Sequence, residues 1–222
     1  MKLDKTRKLF QYIASIPRSL YINLRLLPLK DALLIPILVS NKTRLGSLVG
    51  AVHLDKIKPG IVRIGFGGTD MVDYHTDRGL LKVTGEIYFQ GKAKIATGAK
   101  LIIDGTLSLG ENFAITGDTT IICAKSITIG SNTMLAWQTI VMDTDQHTIY
   151  DHNKQIINPD KPIVIGNNVW VGARCFILKG AHIPDGSIVG ANTTLSKSYQ
   201  KTKTIIAGNP PRILKEDISW DH

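Results

Sequence analysis

The second half of the chain repeats with a period of six residues, and this period restricts the possible folds more than any other feature. Every sixth residue is aliphatic in the series Ile165, Val171, Ile177, Ile183, Val189 and Leu195. Four positions after each of the first five stands a small or β-branched residue: Val169, Cys175, Ala181, Ser187 and Thr193. A half-buried strand repeats roughly every two residues and a helix about every 3.6, so neither explains this pattern.

Two coupled positions in a six-residue repeat predict a mainly β fold, a left-handed parallel β-helix. Each unit supplies one short strand and one turn, and three units close a triangular coil. The aliphatic side chain fills the interior, and the small residue lies where the interior narrows near a corner. Glycine directly follows three of the aliphatic residues, at Gly166, Gly172 and Gly190. Such a glycine indicates either an unusual backbone conformation or no room for a side chain.

One interruption divides the repeat. The same phase continues upstream through Ile129, Leu135 and Val141. Between Val141 and Ile165 lies a whole number of units, but the aliphatic positions are taken by His147, Asn153 and Pro159. Residues 143–162 are therefore predicted to form a loop that leaves the coil and returns to it in phase. Less regular six-residue steps extend the coil back to about residue 80.

The domain organisation follows from this pattern. Residues 81–200 are predicted to form the β-helix, with roughly five coils of 18 residues. Residues 1–80 are predicted to form an amphipathic basic helix and irregular strands that cap the open edge of the coil, which would otherwise invite strand pairing. Residues 201–222 form a tail, in which residues 213–218 are expected to be a short helix.

Charge is concentrated at the start of the chain. The net charge is +9, and the first thirty residues contain Lys2, Lys5, Arg7, Lys8, Arg18, Arg25 and Lys30. This segment suits an anionic membrane surface or polymer, or it is a solvated helix face. Nucleic acid is not expected as a partner, because aromatic residues are only 6% of the chain and no nucleic-acid-binding helix or stacking motif stands out.

Compartment is indicated by the cysteines and the apolar segments. Cys123 and Cys175 are isolated and fall on interior positions, which favours a reducing compartment. No signal peptide is recognised, and the most apolar stretch, residues 20–39, is broken by charges and prolines. We expect a cytoplasmic protein, with peripheral contact to the inner face of the membrane as a further option.

The loop over residues 143–162 contains the residues best suited to catalysis. It begins with Asp143, Asp145 and His147 at the point where the regular wall ends. A histidine beside carboxylates can act as a general base, because a carboxylate can hold the tautomer and stabilise the imidazolium. The alternative is an ordinary surface histidine in a polar loop.

Several motifs, in order, resemble the hexapeptide-repeat acetyltransferases. Residues 161–172 (KPIVIGNNVWVG), Gly190-Ala191 followed by Ser196-Lys197, and residues 207–212 (AGNPPR) are similar to maltose, galactoside and capsular polysaccharide O-acetyltransferases. The resemblance covers about residues 129–215. The chain departs from many relatives at Leu178-Lys179-Gly180, where they have proline and glycine before a turn.

The resemblance implies an activity and a set of site residues. His147 would take the proton from a saccharide hydroxyl that attacks the thioester of acetyl-CoA, with Asp143 or Asp145 orienting the ring. Coenzyme A would lie along the coil between two subunits of a homotrimer. The implied coenzyme A contacts are Gly172, Ala173, Gly190 and Ala191, with Lys197 and Arg212 near the phosphates. Trp137 and Tyr150 would stack on the sugar or pack at the trimer interface.

Two other functions remain open at this point. The spacing of His147 and His152 is that of γ-class carbonic anhydrases, but a zinc site needs a third protein ligand and no histidine lies between His75 and His147. No metal is therefore expected. A non-catalytic β-helix scaffold is the other alternative. The sequence does not indicate which hydroxyl or amine would be acylated.

Overall fold

A computed structural model describes residues 5–74 and 76–221 and shows a left-handed parallel β-helix with three faces. Two helices come first, α1 (Lys5–Leu26) and α2 (Leu29–Ala32). The strands of the first four coils are β1 (Ile37–Val39), β2 (Arg44–Leu48), β3 (Ala51–Leu54), β4 (Val62–Ile64), β5 (Leu80–Val83), β6 (Glu86–Phe89), β7 (Ala93–Ile95), β8 (Lys100–Ile103), β9 (Thr106–Leu109), β10 (Phe113–Ile115), β11 (Thr120–Cys123) and β12 (Ser126–Ile129). The later strands are β13 (Met134–Leu135), β14 (Ile140–Met142), β15 (Ile163–Ile165), β16 (Trp170–Val171), β17 (Phe176–Leu178), β18 (His182–Ile183), β19 (Ile188–Val189), β20 (Thr194–Leu195), β21 (Ile205–Ala207) and β22 (Arg212–Lys215).

Successive strands pass from one face to the next, so each face is a stack of every third strand. The first face is ordered β1-β4-β7-β10-β13-β16-β19-β21-β22, the second β2-β5-β8-β11-β14-β17-β20, and the third β3-β6-β9-β12-β15-β18. All pairs are parallel except the last, β21 with β22. We name the turn from the first to the second face the first corner, and the turn from the second to the third face the second corner.

The coil is longer than the sequence pattern predicted. Stacking begins at Ile37 rather than near residue 81, and the second face has seven strands rather than five. The cause is two long connections near the start of the coil: residues 55–61 join β3 to β4, and residues 65–79 join β4 to β5. Leu45 and its register partner Leu81 are therefore 36 residues apart. Farther along, Leu81, Leu101 and Ile121 are 20 apart, whereas Ile177 and Leu195 are 18 apart, so the six-residue phase also shifts between the lower and upper coils.

Inside the coil, the aliphatic positions form a continuous buried column, as predicted. The small positions between them also carry hydrogen bonds from one coil to the next. Thr139 Oγ1 donates to Gly172 O at 3.0 Å, and Cys175 Sγ donates to Gly190 O at 3.1 Å. These short side chains satisfy corner carbonyls that would otherwise be buried without donors.

The glycine after an aliphatic residue is required by close approach of the next coil. A Cβ at Gly172 would lie 2.7 Å from the Ala191 nitrogen, and one at Gly190 would lie 2.6 Å from the Ala207 Cβ. Neither glycine has a positive φ. Of the two explanations open from the sequence, lack of room is therefore the correct one.

Helix α1 caps the open end of the coil with polar side chains. Ser19 Oγ accepts from Val39 N at 2.9 Å, and Asn23 Oδ1 accepts from Ile37 N at 3.1 Å. Asn23 Nδ2 also donates to Ile37 O at 2.7 Å. The backbone groups of edge strand β1 are thus paired with one face of the helix. Within residues 5–74 and 76–221, no helix is both long and apolar enough to cross a bilayer.

The prediction of a short tail helix over residues 213–218 is wrong, because residues 212–215 form strand β22 antiparallel to β21. A six-residue helix is too short to be stable alone, whereas the free edge of β21 offers backbone partners. Beyond the strand, Trp220 Nε1 donates to Asn168 O at 2.7 Å. Its ring lies 6.1 Å from that of Trp170, so the tail covers part of the first face.

Candidate active site

The loop over residues 143–162 leaves the end of β14 at the second corner and returns to β15 on the third face. Its two arms pair with each other, since Tyr150 and Ile156 form an antiparallel bridge and Ile157 N donates to Ile149 O at 3.0 Å. Asp151 Oδ1 closes the tip by accepting from the backbone N–H of Asn153 at 2.8 Å. His147 is therefore exposed to solvent on an ordered arm of the loop.

Asn158 is the centre of the hydrogen bonds that fix this arm. Its Nδ2 donates to His147 O at 2.8 Å and to Asp145 Oδ2 at 2.8 Å. Its Oδ1 accepts from Ile149 N at 2.6 Å. One side chain on the returning arm thus holds the His147 carbonyl, the Ile149 amide and the Asp145 carboxylate.

Lys179 ties the loop to the next coil. Its Nζ donates to Asn158 O at 2.8 Å and makes a salt bridge with Asp145. The hydrogen bond from Lys179, followed by that from Asn158, holds the pKa of the Asp145 carboxyl below its usual value. Asp145 is consequently ionised at neutral pH and keeps this connection formed.

Asp143 is fully buried, and its side chain binds the backbone at the second corner of the coil below. Its carboxylate accepts three backbone hydrogen bonds of 2.7–2.8 Å, from Ala124, Lys125 and Ser126. The chain departs at this corner, so the coil above does not supply acceptors there. Burial, and next the charge of Asp143, raises the pKa of the neighbouring Cys123 thiol to about 12.

The sequence expectation was that Asp143 or Asp145 orients His147. Among the described residues, no hydrogen bond joins either carboxylate to the imidazole; Asp145 acts through Asn158 and Lys179, and Asp143 binds backbone amides. The residues that hold the histidine arm, Asn158 and Lys179, were not assigned a role from the sequence. One feature of the sequence could have drawn attention to Lys179, since it stands at Leu178-Lys179-Gly180, where the chain departs from many relatives.

The small residues expected to contact coenzyme A are stacked at the first corner. Asn192 N donates to Ala173 O at 2.9 Å, so the Ala173 and Ala191 turns lie on consecutive coils. Trp137 belongs to the same column one coil lower, since its carbonyl accepts from Arg174 N at 3.1 Å. Within the part of the chain that the structure describes, the N–H groups of Ala173 and Ala191 are without hydrogen-bond partners.

The two cationic residues expected near the phosphates lie at different corners. Arg212 pairs with Ala207 at the upper end of the first-corner column. Lys197 lies at the second corner, where its carbonyl accepts from His182 N at 3.2 Å. Strand β17 and its flanking residues separate the two corners, a span on the order of 15–20 Å. Within the described residues, the side chains that bond the His147 loop to the rest of the coil, such as Lys179, are at the second corner and not at the Ala173–Ala191 column.

The loop arms carry apolar side chains without cover in one chain. Ile149, Tyr150, Ile156 and Ile157 are each more than half exposed. Exposed apolar clusters of this kind mark contact surfaces. Tyr150, expected to meet the sugar, is among them, whereas Trp137 is half-buried at the first corner.

A zinc site was an alternative interpretation of the pair His147 and His152. Across residues 5–74 and 76–221, the structure brings together no group of three side chains able to ligate a metal. Within the described part of one chain, His147 and His152 are therefore not joined by a third ligand.

The structure is a parallel β-helix with an ordered, histidine-bearing loop between β14 and β15, and sequence comparison gives the family. Residues 162–197 match the profile described as bacterial transferase hexapeptide (six repeats). The chain is 43% identical over 105 residues to a polysialic acid O-acetyltransferase of Neisseria meningitidis, covering 47% of this chain and 49% of that protein. It is 30% identical over 129 residues to a protein of Escherichia coli (strain K12) provisionally named colanic acid biosynthesis acetyltransferase WcaF, covering 57% of this chain and 68% of that one. The chain belongs to the bacterial hexapeptide transferase family.

The matches extend over only part of several relatives. The chain spans about half the length of the curated relatives that it matches. Among solved structures, the polySia-specific acetyltransferase NeuO is similar with a TM-score of 0.52 at 24% identity, covering 84% of both chains. That likeness is one of fold.

Proposed function

We propose that this chain is an acetyl-CoA-dependent O-acetyltransferase that acts on a saccharide hydroxyl, with His147 as the general base. The observation that carries the proposal is the loop over residues 143–162, which is inserted between β14 and β15 and held in place by Asn158 and Lys179. An incidental surface histidine would not need this arrangement. The relatives named for acetyl transfer to bacterial polysaccharides support the same reaction.

In the proposed reaction, the neutral imidazole of His147 accepts the proton of the sugar hydroxyl. The hydroxyl oxygen attacks the thioester carbonyl of acetyl-CoA, and the tetrahedral intermediate then expels the coenzyme A thiolate. The imidazolium returns its proton to that thiolate, so the products are the acetyl ester and coenzyme A. Asn158 acts by fixing the His147 backbone, because a base must lie within hydrogen-bonding reach of the weak hydroxyl nucleophile.

The donor fits the first corner by its chemistry. Pantetheine contains two amide groups, and the unpaired N–H groups of Ala173 and Ala191 are donors spaced one coil apart. The closely packed Gly172 and Gly190 keep this corner narrow. We place the phosphates of coenzyme A near Arg212 at the upper end of the column. Lys197 would be supplied by the second corner of another subunit.

We infer that the active site is shared between subunits of a homotrimer. In one chain the His147 loop and the Ala173–Ala191 column are on different corners, so each needs a partner from another copy. The exposed apolar arms of the loop, including Ile149 and Ile157, provide the surface for such a contact. A cyclic trimer allows every loop to meet the next subunit's column.

We place the reaction in the synthesis of a surface polysaccharide or another envelope glycan, carried out in the cytoplasm where acetyl-CoA is available. The acceptor could reach the enzyme as a soluble or a lipid-linked saccharide.

The proposal is tested by measuring acetyl-CoA consumption with a panel of sugars, sugar nucleotides and oligosaccharides. His147→Ala should lower the turnover by about two to four orders of magnitude without changing the oligomeric state. His152→Ala is the matched control, because it lies exposed in the same loop, and it should retain turnover. Undiminished turnover in His147→Ala would overturn the mechanism. Absence of both turnover and coenzyme A binding would favour the scaffold function.

A further inference from the structure

Helix α1 exposes an apolar face to solvent. The face that packs on strand β1 includes the polar residues Ser15, Ser19 and Asn23, all buried. The opposite face holds Leu9, Phe10 and Ile13, which are 61%, 72% and 55% exposed, and Ile16 and Leu24, which are also exposed. A surface helix ordinarily turns its apolar stripe toward the core. Here the inward face carries the polar groups that pair with the coil end together with Ile22 and Leu26, and a second set of apolar side chains remains outside.

The apolar surface continues past the end of the helix. The short segment that follows α1 contains Leu29, Leu33 and Leu34, each at least half exposed. Exposed large apolar side chains thus recur along the chain from Leu9 to Leu34. A soluble protein seldom presents such a surface without a partner.

Basic side chains border this face. Arg18 and Arg25 are seven residues apart and therefore lie along one edge of the helix. Arg18 also lines a cavity of about 810 Å³ together with Lys42, Arg44, Arg78 and Lys100. Of these cations, Lys100 is neutralised by Asp118 at 3.0 Å, and Arg18 and Lys42 donate to the carbonyls of Thr43 and Tyr74. The edge of the helix that carries Arg18 and Arg25 is therefore positive.

From this combination we propose that the outer face of α1 docks the protein on an anionic lipid bilayer. The helix would lie in the plane of the interface, with Phe10 and Ile13 among the acyl chains and Arg25 at the phosphates. The cavity beside Arg18 would receive lipid headgroups. Charge distinguishes this occupant from a second copy, because an interface between two identical faces would bring the same arginines toward each other. The inference adds a location to the proposed function and does not depend on the reaction.

The test is co-sedimentation of the full chain with vesicles, without acetyl-CoA or acceptor. The protein should bind vesicles that contain phosphatidylglycerol and bind phosphatidylcholine vesicles at least about tenfold less, and added salt should weaken the binding. The double variant Phe10→Ser/Ile13→Ser should lose at least about tenfold in binding, because two large side chains no longer enter the apolar layer. Arg25→Glu should weaken binding to the anionic vesicles alone.

The matched control is Ile213→Ser/Leu214→Ser, which removes two exposed apolar side chains from β22 at the other end of the coil. Its vesicle binding should equal that of the unaltered chain. Circular dichroism should show that both double variants remain folded, since none of the four side chains is in the core. The proposal is overturned if the unaltered chain does not sediment with anionic vesicles, or if the two double variants bind equally. It is also overturned if Phe10→Ser/Ile13→Ser changes the oligomeric state with no vesicle binding to lose.

Discussion

Two aspartates separated by a single residue have different tasks in this protein. Asp143 is the last residue of the wall and is buried, with its carboxylate held by three corner amides. Asp145 is exposed and reaches Asn158 and Lys179. Only the second belongs to the structure that presents His147, and it does so indirectly.

Removing the buried carboxylate should destabilise the fold. Asp143→Ala would leave three corner N–H groups without acceptors, and we expect the free energy of unfolding in urea to fall by about 3 kcal/mol or more. Asp151→Ala is the control, since it also accepts backbone N–H groups but at the solvent-exposed loop tip. It should cost less than about 1 kcal/mol. Equal losses would show that the buried amides of the corner find water instead.

Loosening the histidine arm should affect turnover rather than donor binding. We expect Asn158→Ala to lower kcat by about tenfold to a hundredfold, because the backbone of His147 is no longer held. The KM for acetyl-CoA and the midpoints of the pH–rate profile should be unchanged, since the base itself remains. Asn153→Ala, in the same loop, should have kinetics like those of the unaltered chain. A shifted pH midpoint in Asn158→Ala would contradict a purely positioning role.

At the level of the element, α1 turns three polar side chains inward beside Ile22 and Leu26. Each coil of a β-helix supplies the hydrogen-bonding partners of the next, so the first strand has one edge without a strand neighbour. Ser15, Ser19 and Asn23, four residues apart, reach that edge from a single helix face. The helix is thereby fixed to the coil by hydrogen bonds rather than by an apolar stripe alone.

This cap can be tested by removing one of its buried polar groups. Asn23→Leu would leave the N–H and C=O of Ile37 unpaired, and we expect a loss of about 2–4 kcal/mol in the free energy of unfolding. Tyr21→Phe removes a polar atom from the exposed face of the same helix and should change stability by less than about 0.5 kcal/mol. A mild effect of Asn23→Leu would mean that α1 is held chiefly by Ile22 and Leu26.

Over the whole molecule, the proposed site is divided between two corners. A subunit with a disabled loop keeps a competent first corner, and a subunit with a blocked corner keeps a competent loop. Mixed trimers should therefore restore some sites that neither variant forms alone.

We expect His147→Ala and Ala173→Trp to be inactive separately and to recover about a quarter of full activity when equal amounts are co-assembled. Mixed trimers are verified with two affinity tags of different mass. Co-assembly of two differently tagged His147→Ala chains provides the background. Mixed trimers without any recovery would contradict a site built from two subunits.

The six-residue period by itself determined the coil, its buried column and the position of the inserted loop. These features follow from local geometry, because a short strand and a corner repeat wherever aliphatic and small residues recur every six residues. The expected start of the coil, near residue 81, lay too late in the chain, because the long connections over residues 55–61 and 65–79 obscure the period of the first coils without disturbing their stacking. His147 could be proposed as a site residue from the sequence because it stands where the pattern expects an aliphatic residue. Its supports were not, because Asn158 and Lys179 are 11 and 32 residues away and meet it only when the loop closes on the next coil. The tertiary structure alone decided which aspartate is buried, which face of α1 is turned to solvent and that the two halves of the proposed site lie on different corners, since each depends on contacts between distant parts of the chain.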